Sequence, residues 1–344
     1  MNSGIIGYGA YVPRFRIKRE EYLKAWGSFS PRGVEEKSVT GLDEDAVTMT
    51  VESSVNALKR AGISSNQLSG MFFASTSAPY AEKLSSSTIV ASLDGPSEIF
   101  LADLGSSTKA GTAALLSCLD FVSSGRGDEA LVGASDVPQA APSDPLEHGL
   151  GAGSASFVTG RNDIIASVEG VHCSSLEIIG ERYRRQGERH LKDSGIGAYT
   201  EQAFNHALTI SVTGLLKSLE LKADEFAYAI FQQFDGRTAY DIGRKLGFKE
   251  NQISPSMTVT KIGDSGSASP LIGLCAVLDI ARPGDRILIA SYGSGSGSDA
   301  ISLVVTDQLV EKRNRAPLVE NYLAQKEYID YLTYLKFRRM LGAR

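Results

Sequence analysis

Residues 103–115 read Asp-Leu-Gly-Ser-Ser-Thr-Lys-Ala-Gly-Thr-Ala-Ala-Leu. The pattern predicts the end of a buried strand, then a sharp polar turn, then an apolar helix. A turn of this kind can present a nucleophile at the N-terminus of a helix, where backbone N–H groups and the helix dipole favour developing negative charge. Thr108 stands at the turn, immediately before Lys109, so the function depends on what a threonine can do there.

Composition narrows the class of protein. The chain has 344 residues, enough to bury a large core as two domains or as one α/β unit built by duplication. A net charge of -5 and a sequence pI of about 5.6 do not suggest non-specific binding to nucleic acid. The N-terminal residues lack a signal-peptide pattern and no apolar run is long enough to span a bilayer, so a cytoplasmic protein is expected.

The chain offers no sign of a disulfide framework or a metal site. Its three cysteines, Cys118, Cys173 and Cys275, are expected to be buried apolar thiols in a reducing compartment. Cys118 and Cys275 lie among apolar neighbours within predicted helices, so they are expected to be inert. Four scattered histidines and the absence of Cys-x-x-Cys spacing give no metal signature.

Short apolar runs alternate with helical patterns along the chain. Apolar spacing predicts helices over residues 46–61 and 112–123. Shorter apolar runs predict buried strands over 71–74 and 99–103. Proline, glycine and mixed charge over 30–41 predict a loop.

The second half of the chain repeats the first at an offset of about 158 residues. Ser54–Lys59 corresponds to Val212–Lys217, and the apolar runs that follow these two segments also correspond. Two further pairs of segments match in the same order. The members of one pair follow the apolar helix of each half, and the members of the other are Gly/Ser-rich and precede a strand. The sequence therefore predicts a first half of residues 1–163, a second half of residues 164–309 and a tail of residues 310–344.

The tail lies outside the repeat. It carries five aromatic residues at roughly helical spacing: Tyr322, Tyr328, Tyr331, Tyr334 and Phe337. A terminal helix packed on its own domain is the preferred interpretation, and a partner-binding arm is the alternative.

Motifs spread over the whole chain resemble the archaeal-type HMG-CoA synthases of the thiolase superfamily. They include Gly7–Pro13, Gly33–Val39, Lys109–Ala113, Pro283–Leu288 and Ser291–Gly295. The resemblance implies an α/β protein with the thiolase fold, in which five αβαβα layers are built from two duplicated halves. It also implies an active site between the halves and a homodimer formed across an edge strand.

The same resemblance identifies the positions where this chain departs from the family. Family enzymes condense acetyl-CoA with acetoacetyl-CoA by means of a cysteine nucleophile, a glutamate acid/base, a histidine and an asparagine. These catalytic positions match Thr108, Thr76, Gln232 and Asp264, so none of the four is intact. A threonine hydroxyl is a far weaker acid than a thiol, and Thr76 cannot exchange a proton near neutral pH. Asp241 matches a family arginine, which reverses the charge there.

Some positions that bind substrate in the family are matched by suitable residues. Arg237 stands where the family has a CoA-binding lysine and keeps a cation suited to phosphate, although an ordinary surface arginine is an equally good interpretation. Thr200 and Ser294 also match pocket positions. The resemblance therefore implies coenzyme A thioesters as possible ligands, with no covalently bound cofactor and no metal.

A second resemblance is closer in the C-terminal half. Phe231-Gln232-Gln233 and Gly263–Leu271 resemble the HMG-CoA-synthase-like subunit of the bacterial multicomponent acetyltransferase that acylates phloroglucinols. That subunit also lacks the cysteine and the histidine. It works with a thiolase-like catalytic subunit and a small OB-fold, zinc-ribbon protein.

Three functions follow from these patterns. The first is a non-catalytic, HMG-CoA-synthase-like subunit of an acyltransferase complex with a thiolase-like chain and an OB-fold chain. The second is an active synthase that uses a hydroxyl of Ser106, Ser107 or Thr108 as nucleophile, although Ser106 and Ser107 are better explained as turn and cap residues. The third, a sensor of acyl-CoA or another small molecule, lacks an effector domain in this sequence.

Overall fold

The computed structural model describes residues 3–177, 182–193 and 197–341, and in the helix that begins at residue 197 it describes side chains from residue 201 onward. The strands are β1 (Gly4–Tyr11), β2 (Phe15–Lys18), β3 (Glu36–Val39), β4 (Gly70–Ala74), β5 (Phe100–Leu104), β6 (Ala130–Asp136), β7 (Gly153–Gly160), β8 (Ala166–Ser174), β9 (Tyr228–Phe231), β10 (Arg286–Ala290), β11 (Ser298–Val305) and β12 (Glu327–Tyr328). The helices are α1 (Arg19–Trp26), α2 (Ala46–Ala61), α3 (Ser85–Ser92), α4 (Ala110–Ser123), α5 (Pro145–Gly149), α6 (Gly197–Leu219), α7 (Thr238–Lys245), α8 (Glu250–Ile253), α9 (Val259–Ile262), α10 (Ser269–Leu278), α11 (Gln308–Lys312), α12 (Val319–Ala324) and α13 (Tyr331–Phe337).

The main sheet repeats one strand order in its two halves. Its order is β5-β4-β6-β7-β1-β8-β11-β10-β9. In the first half β4 is parallel to β6, β6 is antiparallel to β7, and β7 is antiparallel to β1. The second half has the same three relations: β9 is parallel to β10, β10 is antiparallel to β11, and β11 is antiparallel to β8. The repeat expected from the sequence is therefore present in the strand topology.

The halves form the five αβαβα layers of the thiolase fold. Helices α4 and α10 lie in one apolar cluster with residues of both half-sheets, and so form the central layer. Helix α2 covers β1, β6 and β7, and α6 covers β8 and β11. The half-sheets meet where Gly4 and Ile5 of β1 pair with Ser167 and Ala166 of β8.

Helix α2 shows how the local sequence positions an outer layer. Asp45 caps its N-terminus by accepting from the N–H groups of Val47 and Thr48. Gly62 ends the helix in the left-handed region, with a φ of 78°. A Cβ at Gly9 of β1 would lie 2.2 Å from the Ser53 carbonyl oxygen, so only glycine allows this close approach of helix and strand.

Two sequence-based predictions of strand structure were wrong in detail. Residues 30–41, predicted to be a loop, contain β3, which pairs with β2 in a small sheet of the order β12-β2-β3. The strand predicted over 99–103 is not buried. It is the edge strand β5, where Phe100 is 39% exposed, because β4 pairs with it on one side only.

One expectation about the cysteines was also wrong. Cys118 and Cys275 are buried, as predicted, but Cys173 is exposed. Cys173 lies opposite Asp299 of β11, near the end of β8, where the strand residues are only partly buried or exposed.

The tail packs against its own chain, although not as the single helix predicted. Two helices, α12 and α13, flank the short strand β12, which pairs in parallel with β2. Asn56 Nδ2 donates a hydrogen bond of 2.7 Å to the Tyr322 hydroxyl. Tyr334 is buried in a small aromatic cluster with Tyr22. The aromatic spacing therefore reflects packing on the protein's own surface.

A buried lysine joins this tail to α5. Lys37 Nζ donates to the Glu147 carbonyl oxygen and, at 3.3 Å, to the Tyr334 hydroxyl. The Tyr331 hydroxyl donates to the Glu147 carboxylate at 3.0 Å. Burial lowers the pKa of Lys37 to about 7, because the charged amine has lost its water.

The free energy of unfolding is expected to rise between pH 7 and 8 because of Lys37. The unfolded chain keeps the Lys37 proton up to about pH 10.4, whereas the folded chain loses it above about pH 7, so raising the pH favours the folded state by up to about 1 kcal/mol in this window. Burial raises the pKa of Cys118 to about 12, so above about pH 8.5 only the unfolded chain loses this proton. Cys118 therefore opposes the trend only above that pH.

Thermal melts of the wild type and the Lys37→Met variant at pH 7.0, 7.5 and 8.0 measure this contribution. The variant should lose the rise, and the exposed control Lys336→Met should keep it. An equal rise in all three proteins would show that Lys37 does not cause it.

Candidate functional site

A cavity of about 720 Å³ is lined by residues of both halves. Seven positions that the sequence analysis singled out line it: Thr76, Ser106, Ser107, Thr108, Asp241, Asp264 and Ser294. The fold therefore brings together three of the four proposed catalytic positions. The fourth, Gln232, is not among the lining residues.

The turn before α4 holds Thr108 at the cavity wall. Ser106 has a φ of 69°, a strained conformation for a residue with a side chain. Thr108 is only 9% exposed, and its Oγ1 donates a hydrogen bond of 2.7 Å to the Tyr292 carbonyl oxygen. Among the described residues, the Thr108 hydroxyl is hydrogen-bonded to neither a histidine nor a carboxylate, so none of them serves as a general base for it.

The loop between β10 and β11 packs directly on that turn. A Cβ at Gly293 would lie 1.9 Å from Ser107 Oγ and 2.6 Å from the Lys109 backbone nitrogen. Position 293 therefore requires glycine. The contact brings Ser294 to the cavity wall, as the sequence analysis expected.

Lys109 is occupied by an ion pair with the second half. Its Nζ lies 2.9 Å from Asp299 Oδ1, and Thr112 Oγ1 donates to Asp299 Oδ2 at 2.9 Å. Ser291 Oγ lies 2.6 Å from Thr112 Oγ1 and completes the buried group. These contacts tie α4 to β11, and they leave Lys109 bound to Asp299 rather than to Thr108.

Asp136 fixes the turn that carries Thr76. Its Oδ1 accepts hydrogen bonds from the Thr76 backbone N–H at 2.7 Å, from the Thr76 hydroxyl at 3.0 Å, and from the Ser75 and Ser77 hydroxyls. Its Oδ2 accepts from the backbone and the side chain of Ser267, both at 2.7 Å. The Thr76 hydroxyl therefore donates to a buried carboxylate that holds the turn in place.

Gln232 lies behind the cavity wall, which corrects its expected place in the pocket. It is fully buried at the end of β9, and its Nε2 donates a hydrogen bond of 2.9 Å to the Gly266 carbonyl oxygen. Its Oε1 has no hydrogen-bond partner among the described residues. The side chain packs against the loop that follows Asp264.

Asp264 forms a buried ion pair that the sequence analysis missed. Its Oδ2 lies 2.5 Å from Arg182 Nη1, and its Oδ1 accepts from the Gly266 N–H at 2.8 Å. The aspartate and arginine side chains are 3% and 13% exposed. A basic run, with Arg182, Arg184 and Arg185 close together, was the available sequence signal.

The residues proposed to bind CoA differ in their position relative to the cavity. Ser294 lines the cavity, whereas the exposed Arg237 does not; it precedes α7, and its side chain makes no capping hydrogen bond there. Its neighbour Thr238 and the more distant Arg32 occupy that part of the wall, both bound to Asp235. The side chain of Thr200 lies outside the described residues.

The cavity wall carries charges of both signs. The lining arginines are Arg32, Arg182 and Arg184, and the lining acids are Asp144, Asp193, Glu201, Asp235, Asp241 and Asp264. Three of the acids are paired with close arginines: Asp235 with Arg32 at 3.0 Å, Asp264 with Arg182 at 2.5 Å, and Asp241 with Arg244 at 2.6 Å. An anionic ligand would therefore bind only where the positive charge of the lining arginines exceeds the negative charge of the lining acids.

No alternative reactive centre is evident in the described ranges. Burial raises the pKa of Cys118 to about 12 and that of Cys275 well above its usual value, and neither residue lines the cavity. Within residues 3–177, 182–193 and 197–341, no three His, Cys, Asp or Glu side chains could hold a metal ion. None of the helices described is long and apolar enough to cross a membrane.

Known proteins resemble the chain over nearly its whole length, although no family model matches it. The hydroxymethylglutaryl-CoA synthase of Methanopyrus kandleri is 39% identical over 343 residues, which cover 98% of this chain and 97% of that protein. The protein MvaS in complex with 3-hydroxy-3-methylglutaryl coenzyme A superposes with a TM-score of 0.88 at 19% identity, covering 98% of this chain and 91% of that one. The 3-oxoacyl-[acyl-carrier-protein] synthase III of Aquifex aeolicus superposes with a TM-score of 0.75 at 17% identity, covering 88% and 99%. The two superpositions support the shared fold.

Proposed function

The chain belongs to the hydroxymethylglutaryl-CoA synthase family of the thiolase superfamily, and we propose that it is a non-catalytic, acyl-CoA-binding subunit of an acyltransferase complex. One observation carries the proposal. The side chains at the three family catalytic positions that line the cavity are bound to other protein groups: Thr108 to Tyr292, Thr76 to Asp136, and Asp264 to Arg182.

The chemistry of condensation explains why these partners matter. The reaction needs a nucleophile, a group that exchanges a proton, and donors for a developing oxyanion. The Thr108 hydroxyl donates a hydrogen bond to a carbonyl oxygen, and Thr76 is held by a buried carboxylate. The Asp264 carboxylate is paired with Arg182 and offers acceptors rather than donors to an oxyanion. Such groups act as a unit, and removing the nucleophile alone costs on the order of a millionfold in rate.

The proposed partners follow from the resemblance to multicomponent acetyltransferases. They are a thiolase-like chain that carries out acyl transfer and a small OB-fold, zinc-ribbon chain. A homodimer across β5 is also proposed. Of the two edge strands of the main sheet, β5 is exposed or half-buried along its length, whereas β9 is largely buried in the described chain. The proposed location is the cytoplasm, and the proposed ligand is a coenzyme A thioester.

Reconstitution tests this function. The purified protein alone should release no coenzyme A from acetyl-CoA and acetoacetyl-CoA, and release should appear when the thiolase-like and OB-fold chains of the same source are added. The three chains should also co-elute on size exclusion. Failure to form any complex at micromolar concentrations would contradict the subunit proposal.

A second candidate is an active HMG-CoA synthase, and the names of the relatives favour it. Proteins 39–41% identical over at least 97% of this chain are named hydroxymethylglutaryl-CoA synthase. In this case a hydroxyl of Thr108, Ser106 or Ser107 replaces the cysteine. Coenzyme A release by the protein alone, abolished in Thr108→Ala, would establish this candidate with Thr108 as the nucleophile.

A further inference from the structure

A hairpin of residues 182–193, called here the arginine hairpin, lies at the rim of the cavity. Tyr183 and Lys192 exchange two backbone hydrogen bonds of 2.8 Å, which close the hairpin. Tyr183 and Arg184 line the cavity and are also exposed to solvent. Arg184 Nη2 donates a hydrogen bond of 2.6 Å to the Thr76 carbonyl oxygen, so the hairpin is held against the turn that carries Thr76.

The residues that follow α13 pack against this hairpin through Gln139. The Gln139 carbonyl oxygen accepts from the Leu191 N–H at 2.8 Å, and Gln139 Oε1 accepts from Arg189 Nε at 3.2 Å. Gln139 Nε2 donates to the Arg338 carbonyl oxygen at 2.9 Å, and Arg189 Nη2 donates to the same oxygen. The hairpin and the end of the tail therefore form one continuous surface.

This surface, called here the basic rim and defined as residues 182–193 and 336–339, concentrates positive charge. It contains eight cations and two acids, in a chain whose net charge is -5. Positive charge gathered at one place on an acidic protein is typical of a surface that recognises a partner of opposite charge. Six of the cations are exposed: Arg184, Arg185, Arg189, Lys192, Lys336 and Arg339.

Three arginines of the basic rim donate hydrogen bonds to groups that carry no net charge. Arg184 and Arg189 donate to backbone carbonyl oxygens. Arg338 donates to the Thr40 hydroxyl at 2.9 Å and to a backbone carbonyl oxygen at 3.0 Å. Burial, and then the nearby charge of Arg189, lower the pKa of Arg338. Like charges therefore repel one another in the free chain, and an acidic partner would relieve that repulsion.

We propose that the basic rim docks an acidic surface of the chain that carries out acyl transfer in the proposed complex. A subunit bound there lies beside the opening of the cavity, because Tyr183 and Arg184 belong both to the rim and to the cavity wall. An acyl thioester then passes between the two chains over a short path. This inference rests on the proposed function, and it assigns the docking surface and the charge of the partner.

Affinity measurements with a charge-reversed variant test the docking surface. The wild type is titrated with the thiolase-like chain of the same source, in the presence of the OB-fold chain, at about 50 and about 200 mM salt. The wild type should bind about tenfold more weakly at the higher salt concentration, because salt screens exposed charges. At low salt the double variant Arg185→Glu/Arg339→Glu should bind at least about tenfold more weakly than the wild type, and its affinity should depend less on salt.

The double variant Lys59→Glu/Lys217→Glu is the matched control. Both lysines are exposed, and they lie in the last turns of α2 and α6, outside the basic rim. The control changes the net charge of the chain by the same amount, so it should bind like the wild type. Thermal melts verify that both double variants fold.

Cross-linking with a carbodiimide identifies the partner. This reagent joins an amine to a carboxylate that contacts it, and the exposed Lys336 offers such an amine on the rim. Peptide mass spectrometry of the wild-type complex should find Lys336 joined to a carboxylate of the thiolase-like chain. Links from Lys336 to the OB-fold chain alone would overturn the assignment of the partner.

The possible outcomes separate this inference from the function on which it rests. Unchanged affinity of a folded Arg185→Glu/Arg339→Glu variant would overturn the docking surface, and so would equal weakening in the control. Tight binding of a DNA duplex that the charge reversal abolishes would overturn the acidic protein as the partner. Absence of any complex with the wild type would instead overturn the proposed function, and the inference with it.

Discussion

Replacement of Asp136 by alanine is expected to lower the free energy of unfolding by about 3–5 kcal/mol. The buried Asp136 carboxylate accepts six hydrogen bonds, which come from the turn at residues 75–77 and from Ser267. Without the carboxylate these donors are enclosed and lack an acceptor. Because Ser267 belongs to the second half, the variant also loses a link between the halves.

Urea unfolding at pH 7 measures this loss. Asp128→Ala is the matched control: its side chain is 85% exposed and lies 3.8 Å from Arg161, so the change should stay within about 0.5 kcal/mol of the wild type. Asp136→Asn should fall between the two, because an amide oxygen can still accept from some of the donors. A loss below about 1 kcal/mol for Asp136→Ala would show that water replaces the carboxylate readily.

Replacement of Thr108 by cysteine is expected to give an acetylated protein that does not turn over. Position 108 lines the cavity just before α4, where the helix N-terminus favours a thiolate. Acetyl-CoA should therefore label the new thiol. Condensation should still fail, because Thr76 and Asp264 remain bound to Asp136 and Arg182.

Peptide mass spectrometry after exposure to acetyl-CoA measures the labelling, which releases one equivalent of coenzyme A per chain. Further release of coenzyme A in the presence of acetoacetyl-CoA measures turnover. Cys118 is the internal control: it is buried, its pKa is raised to about 12, and it should stay unmodified. Turnover by Thr108→Cys alone, at a rate typical of an enzyme, would show that the rest of the site is competent and would contradict the non-catalytic proposal.

The sequence predicted the fold well because the fold depends on repeated local patterns. Apolar spacing and a stop at Gly62 predicted α2 with its observed bounds, 46–61, whereas the cap at Asp45 was found only in the structure. Short strands between buried helices repeat with nearly the same spacing in both halves, and this repetition is visible without coordinates. Family motifs then identified the architecture.

Elements that depend on tertiary contacts were harder to predict. Strand β3 carries Glu36, Lys37 and Ser38, residues that rarely signal a buried strand. They are tolerated because Lys37 and Ser38 find hydrogen-bond partners far away in the sequence, such as Glu147 and Ala152. Likewise, no local pattern distinguishes the edge strand β5 from a central one.

The sequence identified three of the four candidate positions that line the cavity, but not their contacts. The turn at Thr108, the loop at Thr76 and the loop at Asp264 were all identified from the sequence, and they meet at one cavity. The roles of Asp136 and Arg182 depend on segments about 60 to 130 residues away in the chain. Only the folded chain reveals such pairings.

The most direct test is the mass of the wild-type protein after exposure to acetyl-CoA. The non-catalytic proposal predicts an unmodified peptide 104–109, because the Thr108 hydroxyl donates to the Tyr292 carbonyl oxygen and no described base activates it. An acetyl group on that peptide, absent in Thr108→Ala and lost on addition of acetoacetyl-CoA, would contradict it. That result would identify the protein as a synthase with a threonine nucleophile.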